Sequence, residues 1–191
     1  LLCYDCYSQM EPDAPSSGGF DTYFRNLNEF AAASARSGVP WWTTLLSTAM
    51  RDLLLPTEDS LRWQLSTAVA HGAKGIQWFF FYMREPHNNY RIPPIDEHYE
   101  RTETFERLAR PCRTFLNTTA PVFQKLNLAK VSHFGETWGG TPEWRPGELV
   151  YLLECQSPLI VSEFDDPDGI QYVCVVNNSR TACTQARLVV Q

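Results

Sequence analysis

Two carboxylates and a group of aromatic, hydroxyl and basic side chains fall where parallel α/β folds do their chemistry. In such folds sites gather at the carboxyl ends of the strands. Read along the chain, those ends carry Asp5 and Tyr7 after a first apolar segment, and Ser47 and Thr48 after a second. After a third come Tyr82, Arg84, Glu85 and His87. Trp42, inside the second segment, adds a further aromatic face. Such a rim suits sugars, because ring faces stack on aromatics while hydroxyls take hydrogen bonds from carboxylates and amides. Glu85 and Asp5 are the candidate catalytic residues. Arg84 beside Glu85 favours the ionised carboxylate. Tyr7, Trp42, Ser47, Tyr82, Arg84 and His87 are the candidate substrate-binding residues. The competing reading makes Asp5 a turn cap and pairs Glu85 with Arg84 or Arg91 in a surface loop.

These residues need elements to position them. Residues 1–7 suit a short buried strand and run into a loop with Pro12, Pro15, Gly18 and Gly19. Phe20, Tyr23, Phe24, Leu27, Phe30 and Ala31 then recur at helical spacing on one face, and Gly38 and Pro40 end that helix. Residues 41–46 are β-branched and aromatic and read as a second buried strand. Thr57 is a candidate N-cap, with Glu58 and Asp59 in the first turn and Leu61, Leu65, Ala68 and Val69 on one helical face. Residues 76–82 are apolar on both parities except at Gln77, the pattern of a parallel strand covered on both faces. A polar loop over 84–96 leads to a helix carrying Phe105, Leu108, Cys112 and Phe115. Pro111 inside it should kink or split it.

The order so far is βα-βα-βα, with spacings that suit parallel crossovers. From residue 131 onward the chain reads as strand and turn, over 131–134, 149–153, 159–164, 171–176 and 182–190. The expected division is an α/β unit over residues 1–119 and an antiparallel β-domain over 120–191. Asn178-Ser179 reads as a two-residue hairpin loop that would set Cys174 opposite Cys183. That permits a cross-strand disulfide in an oxidising compartment, and two reduced thiols otherwise.

Composition removes several classes. The 16 Lys+Arg against 22 Asp+Glu give a net charge of −6, so no basic stripe exists to neutralise phosphates and no nucleic-acid partner is expected. No apolar stretch approaches the roughly 18 residues of a membrane span. The six cysteines form neither a disulfide scaffold nor a metal framework, and His71, His87, His98 and His133 fall on separate elements without metal spacing. No metal and no cofactor are expected. The chain opens directly on strand-like residues and reads as a fragment, and a secreted or periplasmic setting is slightly favoured.

Three pieces resemble the C-terminal part of a clan-A glycoside hydrolase barrel, close to the family-42 β-galactosidases. Cys3-Tyr4-Asp5-Cys6-Tyr7 is similar to the Asp-x-Tyr that ends the sixth barrel strand there. Arg62-Trp63-Gln64, then Ala70-His71-Gly72-Ala73-Lys74-Gly75-Ile76 and the aromatic run, resemble the seventh helix and eighth strand. Residues 160–177, with Glu163-Phe164, Asp168-Gly169 and Val175-Val176-Asn177, are like the β-domain that follows the barrel. The resemblance implies an α/β fold, the last three βα units of a (β/α)₈ TIM barrel, followed by a small antiparallel β-sandwich-like domain. It implies a glycosidase acting on β-linked oligo- or polysaccharides. The N-terminal half of the barrel would come from the same gene product or another chain. The implied nucleophile position, at the end of the second strand of this chain, holds no carboxylate, since residues 41–48 contain neither Asp nor Glu. The alternative is therefore a non-catalytic carbohydrate-binding protein on the same scaffold.

Overall fold

The computed structural model describes residues 1–83, 89–180 and 182–191. It is a mixed α/β structure in three sheets. Strands β1 (Leu2–Asp5), β2 (Trp41–Leu46) and β3 (Gly75–Phe79) lie side by side in chain order, and both pairs are parallel. The connection from β1 to β2 runs through a 3₁₀ turn (Ser8–Met10), the short helix α1 (Ala14–Ser17) and the long helix α2 (Gly19–Ser37). Helix α3 (Glu58–Ala70) links β2 to β3.

The helices start and stop for local reasons. Gly38 takes a left-handed conformation (φ 67°) and its N–H bonds Ser34 O at 2.9 Å, closing α2 as the Gly38–Pro40 signal predicts. The Thr57 hydroxyl accepts the Ser60 N–H at 3.1 Å and caps α3. Phe20, Tyr23, Phe24 and Leu27 form the buried face of α2, packed with Trp63 of α3 and Trp41 and Leu45 of β2.

Helix α4 (Glu103–Thr118) passes unbroken through Pro111, so the expected split does not occur. Loss of one backbone bond there is outweighed by burial, for Pro111 itself is buried. After the short helix α5 (Ala120–Phe123) come five strands: β4 (Asn127–Phe134), β5 (Val150–Cys155), β6 (Leu159–Asp165), β7 (Gln171–Asn177) and β8 (Ala186–Val190). β4, β6 and β7 form one antiparallel sheet in that order, and β5 pairs with β8 in another.

β6 is buried on both sides. Ile160 joins the core of α2 and α3, together with Val131, Cys174 and Val176. Leu159 and Val161 face the other way, with Leu153 of β5, Val173, Val175 and Leu188 of β8. The central antiparallel sheet is thus sandwiched between the α2–α3 layer and the small β5–β8 sheet.

The expected β7–β8 hairpin is absent. Among the described residues β7 pairs only with β6, and β8 crosses to β5, where Leu188 covers the far face of the central sheet. Asn178 is therefore no turn residue. It is buried, and its side-chain oxygen accepts the Trp63 indole N–H at 3.1 Å. Cys174 sits in the sheet opposite Ser162, Cys183 lies exposed in the crossing segment, and both are free thiols.

The expectation for β3 also fails. It is only half-buried, with Gln77 exposed, because β3 is an edge of its sheet and one face of that sheet is uncovered. No described helix is long and apolar enough to cross a membrane.

Candidate functional site

The two faces of the parallel sheet differ in chemistry. Tyr4, Thr43 and Ile76 share one register row, Leu45 and Trp78 the next, and these side chains pack toward α2 and α3. The opposite parity carries Cys3, Trp42 and Gly75 in one row and Asp5, Thr44 and Gln77 in the next. Cys3, Asp5 and Gln77 are exposed and Trp42 and Thr44 half-buried, so this face is open and lined by hydrogen-bonding groups. Thr44 Oγ1 donates to Gln77 Oε1 at 3.4 Å, leaving the Gln77 amide N–H groups turned away from that bond.

Trp42 lies flat across β3 because Gly75 has no side chain. A Cβ there would stand 2.3 Å from Trp42 Cε2 and 2.4 Å from Cδ2. Gly75→Ala is expected to lift the indole off the sheet. The emission attributable to Trp42, taken as the difference from a Trp42→Phe protein, should become more accessible to acrylamide quenching. An unchanged difference spectrum and quenching constant would contradict this placement.

Above the Asp5 row the face is aromatic. Tyr7 stacks on Phe79 at 5.5 Å, and Tyr90 meets Phe79 at 6.0 Å and Phe80 at 4.8 Å. The Tyr7 hydroxyl is buried beside the Asp5 carboxylate. Burial first, and then the neighbouring Asp5 carboxylate, push it well above the ordinary phenol range, so it stays protonated and can only act as a neutral donor or acceptor.

The segment carrying Asp5 and Tyr7 is anchored by buried amides. Gln9 Nε2 donates to Gln64 Oε1 at 3.0 Å. Gln64 in turn accepts the Leu46 N–H at 3.0 Å and donates to Leu46 O at 3.1 Å. One α3 side chain thereby fixes both the 3₁₀ turn after β1 and the carboxyl end of β2. Ser8 Oγ donates to Gly19 O at 2.8 Å and ties the same turn to α2.

Of the sequence-predicted site residues, Asp5, Tyr7 and Trp42 come together on or beside this open face. Ser47 does not. It is fully buried, its N–H bonds Phe79 O at 2.6 Å and its hydroxyl donates to Phe80 O at 3.4 Å. Thr48 is likewise buried and donates to Arg91 O at 2.9 Å. Both hydroxyls hold the β2 end to the chain after β3, where backbone carbonyls of that chain take them up. Tyr82, beyond the end of β3, stacks on Tyr99 at 4.9 Å. Arg84, Glu85 and His87 lie outside the described residues.

Sequence reasoning missed Thr44, Gln77, Phe79 and Tyr90. Thr44 and Gln77 were accessible to it, since they match the parity of Asp5 once the strands are taken as parallel and in register. Tyr90 was not, because its place depends on how the chain after β3 folds back.

An apolar groove of about 340 Å³ lies on the helix side of β3, lined by Leu65, Val69, Ile76, Trp78, Phe115 and Phe123. Its lining suits packing against apolar surface, and it offers little to a sugar hydroxyl. Among the described residues no group of three or more His, Cys, Asp or Glu side chains could hold a metal ion. Comparison with models of protein families, with curated proteins and with solved structures finds no match to this chain.

Proposed function

We propose that this chain forms part of a glycoside hydrolase acting on β-linked oligo- or polysaccharides, and that the open face of its parallel sheet is a wall of the sugar-binding cleft. The observation that carries the reading is the row Asp5–Thr44–Gln77, three polar side chains aligned across three parallel strands on an uncovered face. Trp42 borders the row on one side, and Tyr7 and Phe79 border it on the other. Hydroxyl-binding groups flanked by aromatic faces suit a pyranose ring.

The arrangement of β1–β3 in chain order, with helices on one face only, is what three consecutive strands of a (β/α)₈ barrel would look like. A parallel sheet is normally covered on both faces. In this reading the rest of the barrel, from the same gene product or another chain, supplies the far wall. Asp5 binds a substrate hydroxyl. Glu85, in the chain after β3, is the proposed nucleophile or base, with Arg84, His87 and Tyr82 as proposed substrate-binding residues.

The test is Glu85→Gln in the whole protein, assayed on a panel of aryl β-glycosides. Removal of a catalytic acid or base costs on the order of 10²–10⁴ in rate, so a loss of about 10³-fold in kcat with intact folding is expected. Activity within a few-fold of the parent removes Glu85 from the mechanism. Asp5→Asn should mainly raise KM.

A second reading, a non-catalytic carbohydrate-binding protein, is favoured by one observation. The carboxyl end of β2 carries Leu45, Leu46, Ser47 and Thr48, with no carboxylate and with both hydroxyls committed to backbone carbonyls. Retaining chemistry needs two carboxyl groups about 5–5.5 Å apart. Saturable oligosaccharide binding by a protein that hydrolyses none of the panel would establish this second reading.

A further inference from the structure

We propose that Tyr99 is the platform of an outer sugar-binding subsite, which takes a pyranose ring of a chain longer than the one seated on the open sheet face. The inference rests on the carbohydrate reading above and extends it to a residue outside the sheet.

Tyr99 is 76% exposed, and its backbone is left-handed (φ 65°). Both properties are unusual for a large aromatic residue. The hydrophobic effect favours burying the ring, and a left-handed backbone favours Gly or Asn. The surrounding turn holds the conformation rigidly. Asp96 Oδ1 accepts the His98 and Glu100 N–H groups, both at 2.9 Å, the Asp96 N–H bonds Glu100 O at 3.0 Å, and the Tyr99 N–H bonds Asp96 O at 3.1 Å.

That turn is fastened to the end of the parallel sheet. Ile95 N–H bonds Phe81 O at 2.9 Å and Met83 N–H bonds Ile95 O at 3.1 Å. Tyr99 thus projects at the same end of the sheet as Asp5, Tyr7 and Phe79. One side of its ring is backed by Tyr82, at 4.9 Å and an interplanar angle of 22°. Core packing does not require an aromatic here, and the turn is strained by one. A rigid, backed and water-exposed ring is the geometry that stacks on the C–H face of a sugar, with the phenol at its edge free to bond a hydroxyl.

The experiment is calorimetric titration of the whole protein with a ladder of β-linked oligosaccharides, from disaccharide to hexasaccharide. The parent and Tyr99→Ala, Tyr99→Phe and Tyr99→Gly proteins are compared. The parent should bind more tightly as the chain lengthens. Tyr99→Ala should abolish that gain, binding the hexasaccharide about tenfold more weakly, the scale of one aromatic stacking contact, with disaccharide affinity unchanged. Tyr99→Phe should retain most of the gain. Tyr99→Gly should lose the gain while raising the melting temperature, because the turn strain is relieved.

Equal affinities for parent and Tyr99→Ala at every length overturn the subsite, as does an equal loss at every length. A melting temperature lowered by Tyr99→Gly overturns it too, since the ring would then be structural. A parent that binds no member of the ladder removes the carbohydrate reading itself.

Discussion

Lowering the pH from about 6.5 to about 4 is expected to cost this protein about 3 kcal/mol of stability through His71 alone, at 1.36 kcal/mol per pH unit of separation between folded and unfolded titration. His71, at the C-cap of α3, and His133, on β4, are both fully buried. Their rings lie 5.9 Å apart at the seam between the helices and the central antiparallel sheet, and both pack on Phe24 of α2. His71 Nδ1 bonds Thr67 O at 2.8 Å, and His133 Nδ1 receives the Trp138 N–H at 3.3 Å. Each Nε2 is buried without a partner, and among the described residues no carboxylate pairs with either ring.

Burial holds the folded titration of His71 down to about 4. Burial and the charge His71 would carry hold that of His133 down to about 3. As pH falls below 6.5 the unfolded chain takes up protons that the folded chain refuses, so stability is full above 6.5 and declines toward 4. His133 adds to the loss, but less than independently, because the two sites repel. Urea midpoints measured across this window should fall steeply for the parent and less for His71→Phe. A midpoint flat between pH 6.5 and 4, or a slope untouched by the substitution, would refute the assignment. Because the seam joins the layer bearing Asp5 to the central sheet, binding should fail over the same range.

Gln64→Leu should be among the most damaging single changes in the chain. The substitution keeps roughly the shape of the side chain and removes all its polarity. It leaves the Leu46 N–H, the Leu46 carbonyl and the Gln9 amide buried without the partners they now have. At about 1–3 kcal/mol for each of the three buried polar groups orphaned, the cost is on the order of 3–9 kcal/mol, a large share of the stability of an ordinary domain. Gln64→Glu keeps the oxygen that receives the Leu46 N–H and should cost less at acidic pH, where the carboxyl is neutral, than at pH 8. Denaturant titration of the three proteins checks both statements. A Gln64→Leu protein within about 1 kcal/mol of the parent would show that the network contributes little. A surviving folded fraction should show weakened Asp5-dependent binding, since the same side chain positions the turn after β1.

Much of the α/β layer is legible in the sequence. The apolar face of α2, its Gly38 stop, the Thr57 cap and the parallel order of the first three strands all follow from spacing and local hydrogen bonding. Those properties act within a few residues. Asp5, Tyr7 and Trp42 were accessible for the same reason, since strand ends and strand parity are local. Helices α4 and α5 meet at Thr119, and the hydrophobic core joins the helices before that point to Ile160, Val131 and Val176 after it.

Where the reading failed, a distant partner decided. Ser47 has the right type and position for a ligand contact, but Phe79 O and Phe80 O claim it. The Asn177-Asn178-Ser179 stretch has turn chemistry, but the Trp63 indole, 115 residues away, claims Asn178, and β8 is drawn to β5 by the apolar surface it covers there. β3 is apolar on both parities, as a doubly covered strand would be, yet stands half-buried at a sheet edge.

The sequence by itself determined which segments become helix or strand and which side chains share a face, because backbone propensity and periodicity are properties of neighbours. Only the tertiary structure decided which face is left open, which hydroxyls are consumed by backbone carbonyls, and that two histidines of separate elements meet in a dry seam. Those outcomes depend on satisfying buried polar groups and covering apolar area across gaps of tens of residues, and no local pattern records them.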